Sequence, residues 1–357
     1  MTNRLAEENV LNRILISLEA TNRVSDVHIK SGSKIRYREI GDIKTLEGAA
    51  IDGKNLIAMM QEIFNEKIKT DFKDNKQADF GFATSNNTRY RANLFCTNTG
   101  CALSLRRIDN KILTFEQIGL PPIIKKIAGL QKGLVIISGP TGSGKSTTLN
   151  SIIDFINENY RKHIITVEDP IEFIHQSKQC LINQREIGVD AKSFSLAIKS
   201  ALREDPDIIL LGEIRDAETI KECLTAAETG HLVLATMHTV SAAKSIDRIV
   251  DTCSSVEKDM VRTMLSSSLQ AVILQKLLRK KDGSGRVCAF EILLGTNAVR
   301  NLIKENKIEQ IDSMIQTGSK YGMVDMTSSM TALYKSAVIS MEEFNENSIN
   351  LGKVDDW

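Results

Sequence analysis

VIISGPTGSGKSTTL, at residues 135–149, runs from an apolar segment into the pattern G-x-x-x-x-G-K-[ST] at residues 139–146. This pattern is the signature of a phosphate-binding loop when a strand precedes it and a helix follows it. Its glycines allow several backbone N–H groups to point at one anion, and the following helix adds the positive end of its dipole. We therefore predict that nucleotide phosphates are bound by Gly139, Pro140, Thr141, Gly142, Ser143, Gly144, Lys145, Ser146 and Thr147.

The last residues of this loop carry its predicted chemistry. Lys145 has the reach to contact the β- and γ-phosphates, and the Ser146 hydroxyl is a ligand suited to Mg²⁺. ATP and Mg²⁺ are therefore the predicted cofactors. Phosphoryl transfer to water also needs acidic residues near the metal ion and the attacking water.

Two predicted strands end in carboxylates. Glu168 ends the apolar run at 164–168, and Glu213 follows the run at 208–212. Ligands of open α/β sheets bind at the carboxyl ends of the strands. The acids could simply cap their strands, but their position after a phosphate loop favours a role in nucleotide chemistry.

Two histidines bracket the next predicted strand, at 232–236. His231 precedes this strand and His238 follows it, so we expect them at opposite ends. His238 is predicted to lie at the same edge as the carboxylates, where it could sense the γ-phosphate. His231 is predicted to organise the entry of the strand or to contact a neighbour.

The amino-acid composition is typical of a globular protein. Its 357 residues leave room for two domains, 42% are hydrophobic and the formal net charge is +1. A near-neutral charge disfavours a motor that moves along nucleic acid, because such motors usually carry basic tracts. No apolar run approaches the roughly 18 residues of a transmembrane helix, and the six cysteines form no C-x-x-C pair. We therefore expect a cytoplasmic protein without a transmembrane segment, zinc site or nucleic-acid partner.

The pattern of apolar residues changes near residue 110 and predicts two domains. Residues 1–108 are predicted to form a small α+β domain, with helices at 5–22 and 54–68 and a hairpin at 89–95 and 102–108. A linker is predicted at 109–113. Residues 114–357 are predicted to form an α/β domain whose mostly parallel sheet has strands at 134–138, 164–168, 208–212 and 232–236. Beyond residue 255 we expect mainly helix, with one short pair of strands around 283–285.

The predicted hairpin of the first domain is rich in arginine. Its four arginines either form a solvated basic face or include one or two arginine fingers that neutralise the charge of phosphoryl transfer. The candidates are Arg89, Arg91, Arg106 and Arg107.

Four motifs in order resemble the type II/IV secretion ATPase superfamily: GPTGSGKST, ITVEDPIEF, ALREDPDIILLGEIRD and TGHLVLATMHT. They are similar to its Walker A motif, Asp box, Walker B motif and His box. Within that superfamily, residues 175–188, 239–250 and 295–305 resemble the PilT-type pilus-retraction ATPases, which drive twitching motility. The resemblance covers about residues 20–345.

This resemblance implies a homohexameric ring in which each subunit joins a PAS-like N-terminal domain to a RecA-like motor domain. It implies that Glu168 is the general base and that Glu213, with Ser146, acts on Mg²⁺. It further implies that His231 and His238 form the His-box pair. Arg91 and Arg106 would contact the nucleotide from the N-terminal domain.

The implied function is ATP hydrolysis that drives domain motion and type IV pilus retraction. Its implied partner is a pilus or secretion platform protein, at the inner face of the bacterial inner membrane. We expect one helix over 299–315, with Arg300, Lys304 and Glu305 on the side that faces this partner. Two alternatives stay open: an ATPase of a conjugative or type IVB secretion system, and a nucleotide-gated regulatory or assembly subunit with little turnover.

Overall fold

The structure is a computed structural model that describes residues 4–20, 24–39, 42–48, 50–108 and 112–349. The chain folds into two compact units. The smaller unit takes the residues up to 111 and the segment Pro170–Ile174, and the larger unit takes the others. Residues 109–111 of the predicted linker lie outside the described residues, and the predicted domain boundaries stay a prediction. Within the described ranges, no helix has both the length and the apolar character needed to cross a bilayer.

Among its described residues, the smaller unit has a six-stranded antiparallel sheet and three α-helices. The strands follow the spatial order β3-β2-β1-β6-β5-β4. In chain order the elements are α1 (Val10–Glu19), β1 (Val24–Lys30), β2 (Arg36–Glu39), β3 (Asp42–Thr45), α2 (Gly53–Met60), α3 (Glu66–Asn75), β4 (Gln77–Ala83), β5 (Arg89–Thr97) and β6 (Gly100–Ile108).

In the smaller unit, one predicted hairpin is confirmed and one predicted helix is wrong. The β5–β6 hairpin confirms the predicted pair of strands, and its two strands run in register from Arg89↔Ile108 to Thr97↔Gly100. The helix predicted at 54–68 is instead two helices. A turn of 3-10 helix ends the first, and the Asn65 side chain then accepts the Ile68 N–H at 2.8 Å and starts α3.

The larger unit is a seven-stranded sheet with helices on both faces. Its strands follow the order β13-β12-β7-β11-β10-β8-β9. Its elements are α4 (Phe115–Ile118), α5 (Ile123–Ala128), β7 (Gly133–Ser138), α6 (Lys145–Asn159), β8 (His163–Glu168), β9 (Leu181–Glu186), α7 (Phe194–Ala201), β10 (Ile208–Leu211), α8 (Ala217–Glu228), β11 (Leu232–Met237), α9 (Ala242–Asp251), α10 (Lys258–Ser268), β12 (Leu269–Arg279), β13 (Arg286–Leu294), α11 (Asn297–Lys304), α12 (Ile311–Thr317), α13 (Met326–Lys335) and α14 (Met341–Ile349).

The central strands of this sheet are buried on both faces, as parallel strands covered by helices should be. All residues of β7 are buried, and successive residues face opposite cores. Leu134 and Ile136 pack in one core with α7, α8, α9 and α10. Val135 and Ile137 pack in the other core with α5 and α6. The predicted α/β class is confirmed, and the five neighbouring pairs from β12 to β9 are parallel.

The sequence prediction for residues beyond 255 is wrong in one respect. The strand pair is long, with β12 and β13 in register from Ala271↔Leu294 to Arg279↔Arg286. β12 also pairs in parallel with β7, and so extends the main sheet. Seven of the 11 positions of β12 are buried, five of them in an unbroken run from Ala271 to Gln275, and such a run has no periodicity that separates a strand from a helix.

The helix predicted over 299–315 is also wrong as a single element. α11 ends at Lys304, a turn of 3-10 helix follows at Ile308–Gln310, and α12 begins at Ile311. Asn306 between them has a positive φ of 57°, which no helix interior accommodates.

The Arg300 guanidinium binds the end of a neighbouring helix, and its predicted role toward a partner stays a prediction. Its Nη1 and Nη2 donate to Ser266 O at 2.9 Å and to Leu269 O at 2.8 Å. Nε donates to Gly295 O at 2.7 Å, and Nη1 also donates to Ser267 O. The last carbonyls of α10 have no partner within the helix, so Arg300 supplies the donors that they need.

Arg300→Ala is therefore expected to destabilise the larger unit. The variant loses hydrogen bonds from a charged donor to several backbone carbonyls, so we expect the free energy of unfolding to fall by about 2 kcal/mol. Urea denaturation measures this change. Lys304→Ala, one turn later on the exposed side of α11, is the matched control. Equal denaturation midpoints for the two variants would contradict the structural role of Arg300.

Candidate active site

Parallel pairing gathers the predicted chemical residues at one edge of the larger sheet. Val167 pairs with Leu211 in the β8–β10 ladder, and Ser138 pairs with Met237 in the β7–β11 ladder. Glu168 therefore ends its strand, and Glu213, His238 and the phosphate loop follow the carboxyl ends of the neighbouring strands. The expected placement of the carboxylates and of His238 at one edge is confirmed.

The phosphate loop turns sharply between β7 and α6, and its backbone requires glycine. Gly139 has a φ of 145°, and a Cβ there would lie 2.4 Å from the carbonyl oxygen of Gln275. Gly144 has a φ of 87° and caps the amino end of α6. A concave backbone that begins a helix in this way is suited to phosphate.

The side chain of Gln275 on β12 supports the phosphate loop, and the sequence did not predict this contact. Its Nε2 donates to Ser143 O at 2.6 Å, and the side chain is buried. The contact draws the Ser143 carbonyl toward β12. No local pattern in the sequence points to this residue, since it lies within a buried strand whose neighbour in the fold could not be predicted.

Lys145 and His238 are joined, and His238 in turn faces Glu213. The Lys145 ammonium donates to Gly139 O and Pro140 O, each at 3.0 Å, and to His238 Nδ1 at 3.3 Å. An ammonium can only donate, so Nδ1 accepts and Nε2 carries the ring proton. Nε2 lies 3.5 Å from Glu213 Oε1.

The charge state of His238 follows from its surroundings. Burial, together with the neighbouring Lys145 ammonium, lowers the pKa of the His238 ring. The ring is therefore neutral at pH 7. It can accept from Lys145 at one nitrogen and donate toward Glu213 at the other, so it links the loop lysine to the acid at the end of β10.

Glu213 is also held by Arg215, and its carboxylate oxygens are of the type that binds metal ions. Arg215 Nε donates to Glu213 Oε2 at 2.8 Å, and this hydrogen bond raises the pKa of the arginine. The Ser146 hydroxyl in the first turn of α6 and the Glu213 carboxylate are hard oxygen ligands, the type that Mg²⁺ prefers. Their donor chemistry therefore fits the predicted Mg²⁺ ion.

Glu168 is a buried carboxylate with two donors on one oxygen. It is only 6% exposed. Thr166 Oγ1 donates to Glu168 Oε1 at 2.7 Å, and Gln184 Nε2 donates to the same oxygen at 3.2 Å. Gly212 passes beside it, since a Cβ at that position would lie 3.3 Å from Glu168 Cα.

His231 lies at the opposite edge of the sheet. Its Nδ1 contacts Ala226 O at 3.0 Å and Thr229 Oγ1 at 3.2 Å. It thus connects the end of α8 to the start of β11, in keeping with the expected role at the entry of the strand. Its predicted catalytic role stays a prediction.

The arginines Arg91 and Arg106 belong to the smaller unit. They lie directly opposite each other in the β5–β6 ladder, and both are exposed. Arg106 Nε also lies 3.0 Å from Asp26 Oδ1. Their predicted contact with nucleotide stays a prediction.

Comparisons with known proteins agree with this geometry. The family model described as type II/IV secretion system protein matches residues 4–346. The type IV pilus retraction ATPase PilT of Pseudomonas aeruginosa is 47% identical over 334 residues, which is 94% of this chain and 97% of that protein. A twitching motility protein of Neisseria gonorrhoeae is 48% identical over 310 residues, which is 87% of this chain and 83% of that protein. The crystal structure of the pilus retraction motor PilT with bound ADP matches with a TM-score of 0.86 and 40% identity, over 95% of this chain and 97% of that one.

Proposed function

The chain belongs to the type II/IV secretion system protein family and is a P-loop ATPase, and from this premise we propose that it powers retraction of a type IV pilus and so twitching motility. The observation that carries the proposal is that Glu168, Glu213 and His238 lie at the same edge of the sheet as the phosphate loop with its Lys145. The similarity to pilus retraction ATPases over nearly the whole chain supports the pilus as the object of the motor.

The loop at 139–147 holds the phosphates of ATP in this proposal. Lys145 exchanges its contacts with the loop carbonyls for oxygens of the β- and γ-phosphates. The neutral His238 ring then senses the γ-phosphate, because the ring lies against both the Lys145 ammonium and the Glu213 carboxylate.

Ser146 and Glu213 would hold Mg²⁺, which would neutralise charge on the phosphates when bound. Glu168 takes a proton from the attacking water as general base. Its burial suits this role, since a base shielded from bulk water and oriented by fixed donors keeps one geometry.

The wider assembly is proposed from the resemblance. We propose a homohexamer in the cytoplasm, bound at the inner face of the inner membrane to a pilus platform protein. Residues 1–108 act as the PAS-like domain and 114–357 as the RecA-like motor. In this proposal Arg91 and Arg106 sense the nucleotide.

Lys145→Ala is expected to lower kcat for ATP by about 100-fold or more, the usual cost of one preorganised charge-stabilising donor. Turnover of the unmodified chain should appear in the hexamer fraction after separation by size. Lys125→Ala, which removes a surface ion pair with Glu116, is the matched control and should leave turnover unchanged. A stable ring of the unmodified chain without turnover would favour the regulatory or assembly subunit instead.

A cellular assay tests the object of the motor. Cells that carry only the Lys145→Ala form should keep surface pili and lose twitching. Cells that twitch normally but lose secretion or conjugation would overturn the pilus role in favour of the secretion ATPase.

A further inference from the structure

Gln184 on β9 contacts the proposed base and has no part in the mechanism given above. It pairs with Thr166 in the β8–β9 ladder. Its Nε2 lies 3.2 Å from Glu168 Oε1, and its Oε1 accepts the backbone N–H of His175 at 2.7 Å. Because a backbone N–H can only donate, the amide oxygen of Gln184 must face His175. The amide NH₂ is thereby directed at the carboxylate.

His175 continues this chain of hydrogen bonds into α6. Its Nε2 lies 2.7 Å from Asn150 Oδ1, and Asn150 Nδ2 donates to Ser146 O at 2.8 Å. A carbonyl can only accept, so the NH₂ group of Asn150 faces Ser146 and its oxygen faces the ring. His175 Nε2 therefore carries the proton. Burial lowers the pKa of His175 to about 4, so the ring stays neutral at pH 7 and keeps this tautomer.

The complete chain joins the backbone carbonyl of Ser146, the proposed Mg²⁺ ligand, to the proposed base, and it passes through both the ring and the backbone N–H of His175. It runs from Ser146 through Asn150, His175 and Gln184 to Glu168. Asn150 and His175 are buried, and Gln184 is half-buried. Each amide orientation is set by a backbone group at one end, so flipping either amide would place two donors or two acceptors against each other. Such a network holds a single geometry.

We propose that Gln184 is a positioning residue for ATP hydrolysis, which holds the Glu168 carboxylate in one orientation and keeps it ionised. The proposal rests on the proposed function of Glu168 as general base. A donor N–H directed at a carboxylate favours its charged form. Through His175 and Asn150, Gln184 also ties the orientation of the base to the helix that follows the phosphate loop.

Two substitutions of Gln184 separate charge from packing. Gln184→Glu sets a second carboxylate beside Glu168, so we expect kcat at pH 7 to fall by about 100-fold. The acid limb of the kcat–pH profile should move to higher pH, because two adjacent carboxylates cannot easily both ionise.

Gln184→Met keeps the volume of the side chain and removes the donor. We expect this variant to lower kcat about tenfold, which is the value of one hydrogen bond to a charged group, and to shift the acid limb of the pH profile less than Gln184→Glu does. KM for ATP should not change in either variant.

Asn183→Asp is the matched control, since it makes the same amide-to-carboxylate change one residue earlier on β9. Side chains alternate along a strand, and the exposed Asn183 contacts His163 Nε2 at 2.9 Å. This control should keep the pH profile of the unmodified chain. If Gln184→Glu does not fold, Gln184→Met still tests the proposal, because methionine is close in volume to glutamine and the position is half-buried.

Glu168→Ala, assayed in parallel, separates the two proposals. Normal turnover of Glu168→Ala would remove the base, and the role of Gln184 with it. If Glu168→Ala is inactive while Gln184→Met keeps full activity, Gln184 has no positioning role. Lost activity of the Gln184 variants without any movement of the acid limb would likewise overturn this proposal, and leave only a structural contact.

Discussion

Glu168→Gln is expected to bind ATP normally and to lower kcat by at least about 100-fold, the contribution of a general base. The glutamine keeps the size of the side chain, and its oxygen can still accept from Thr166 and Gln184. The fold of the loop and the affinity for nucleotide should therefore persist. What the variant loses is the negative charge and basicity of the carboxylate, without which the side chain cannot take the proton from water. Single-turnover hydrolysis and equilibrium binding of ATP measure the two effects separately.

Glu158→Gln provides the matched control for this experiment. Glu158 lies near the end of α6, is exposed and forms a surface ion pair with Lys178 at 2.8 Å. The same chemical change there should leave kcat untouched, because exposed pairs contribute little. Comparable kcat values for Glu168→Gln and Glu158→Gln would remove Glu168 from the chemistry and move the search for the base to Glu213.

The sheet edge of the site could be predicted from the sequence for two reasons. Each strand is marked by its own short run of apolar residues, and the carboxyl ends of parallel strands always share one edge. Four short apolar runs separated by helical segments are enough to predict a parallel sheet. The ends of parallel strands share one edge, so carboxylates that follow 164–168 and 208–212 had to meet there. The structure confirms this edge. Every position of β10 is buried, as expected for a strand inside a parallel sheet that helices cover on both faces.

The supporting side chains could not be predicted, since their partners lie far away in the sequence. Gln184 bonds Glu168 across 16 residues, and Gln275 bonds Ser143 across 132 residues. A lone glutamine in a strand has no periodicity or spacing that reveals such a partner. The contact of Arg300 with the end of α10 could not be predicted for a related reason. The position of Arg300 on the wheel of α11 is half-exposed, but a long side chain can reach back to bind the end of another helix.

Gly139→Ala is expected to weaken ADP binding by at least about tenfold, equivalent to 1.4 kcal/mol. The residue has a φ of 145°, where an L side chain is strained by about 1–3 kcal/mol. Its new Cβ would also lie 2.4 Å from Gln275 O and 2.6 Å from Ser143 Oγ. The nearer atom is backbone of β12 and cannot rotate away. The loop must therefore move off the sheet, and the N–H groups that it directs at phosphate move with it.

Gly119→Ala separates the strain from the collision. Gly119 has a φ of 75° at the end of α4, but a Cβ there would meet no atom within 4 Å. That variant carries only the backbone strain, so it should lower the melting temperature and leave the Kd for ADP unchanged. Equal Kd values for the two variants would contradict the role of Gly139 in shaping the cradle. A loss of ADP affinity in Gly139→Ala alone, at similar stability, would instead show that close packing of the loop on β12 sets the geometry that phosphate requires.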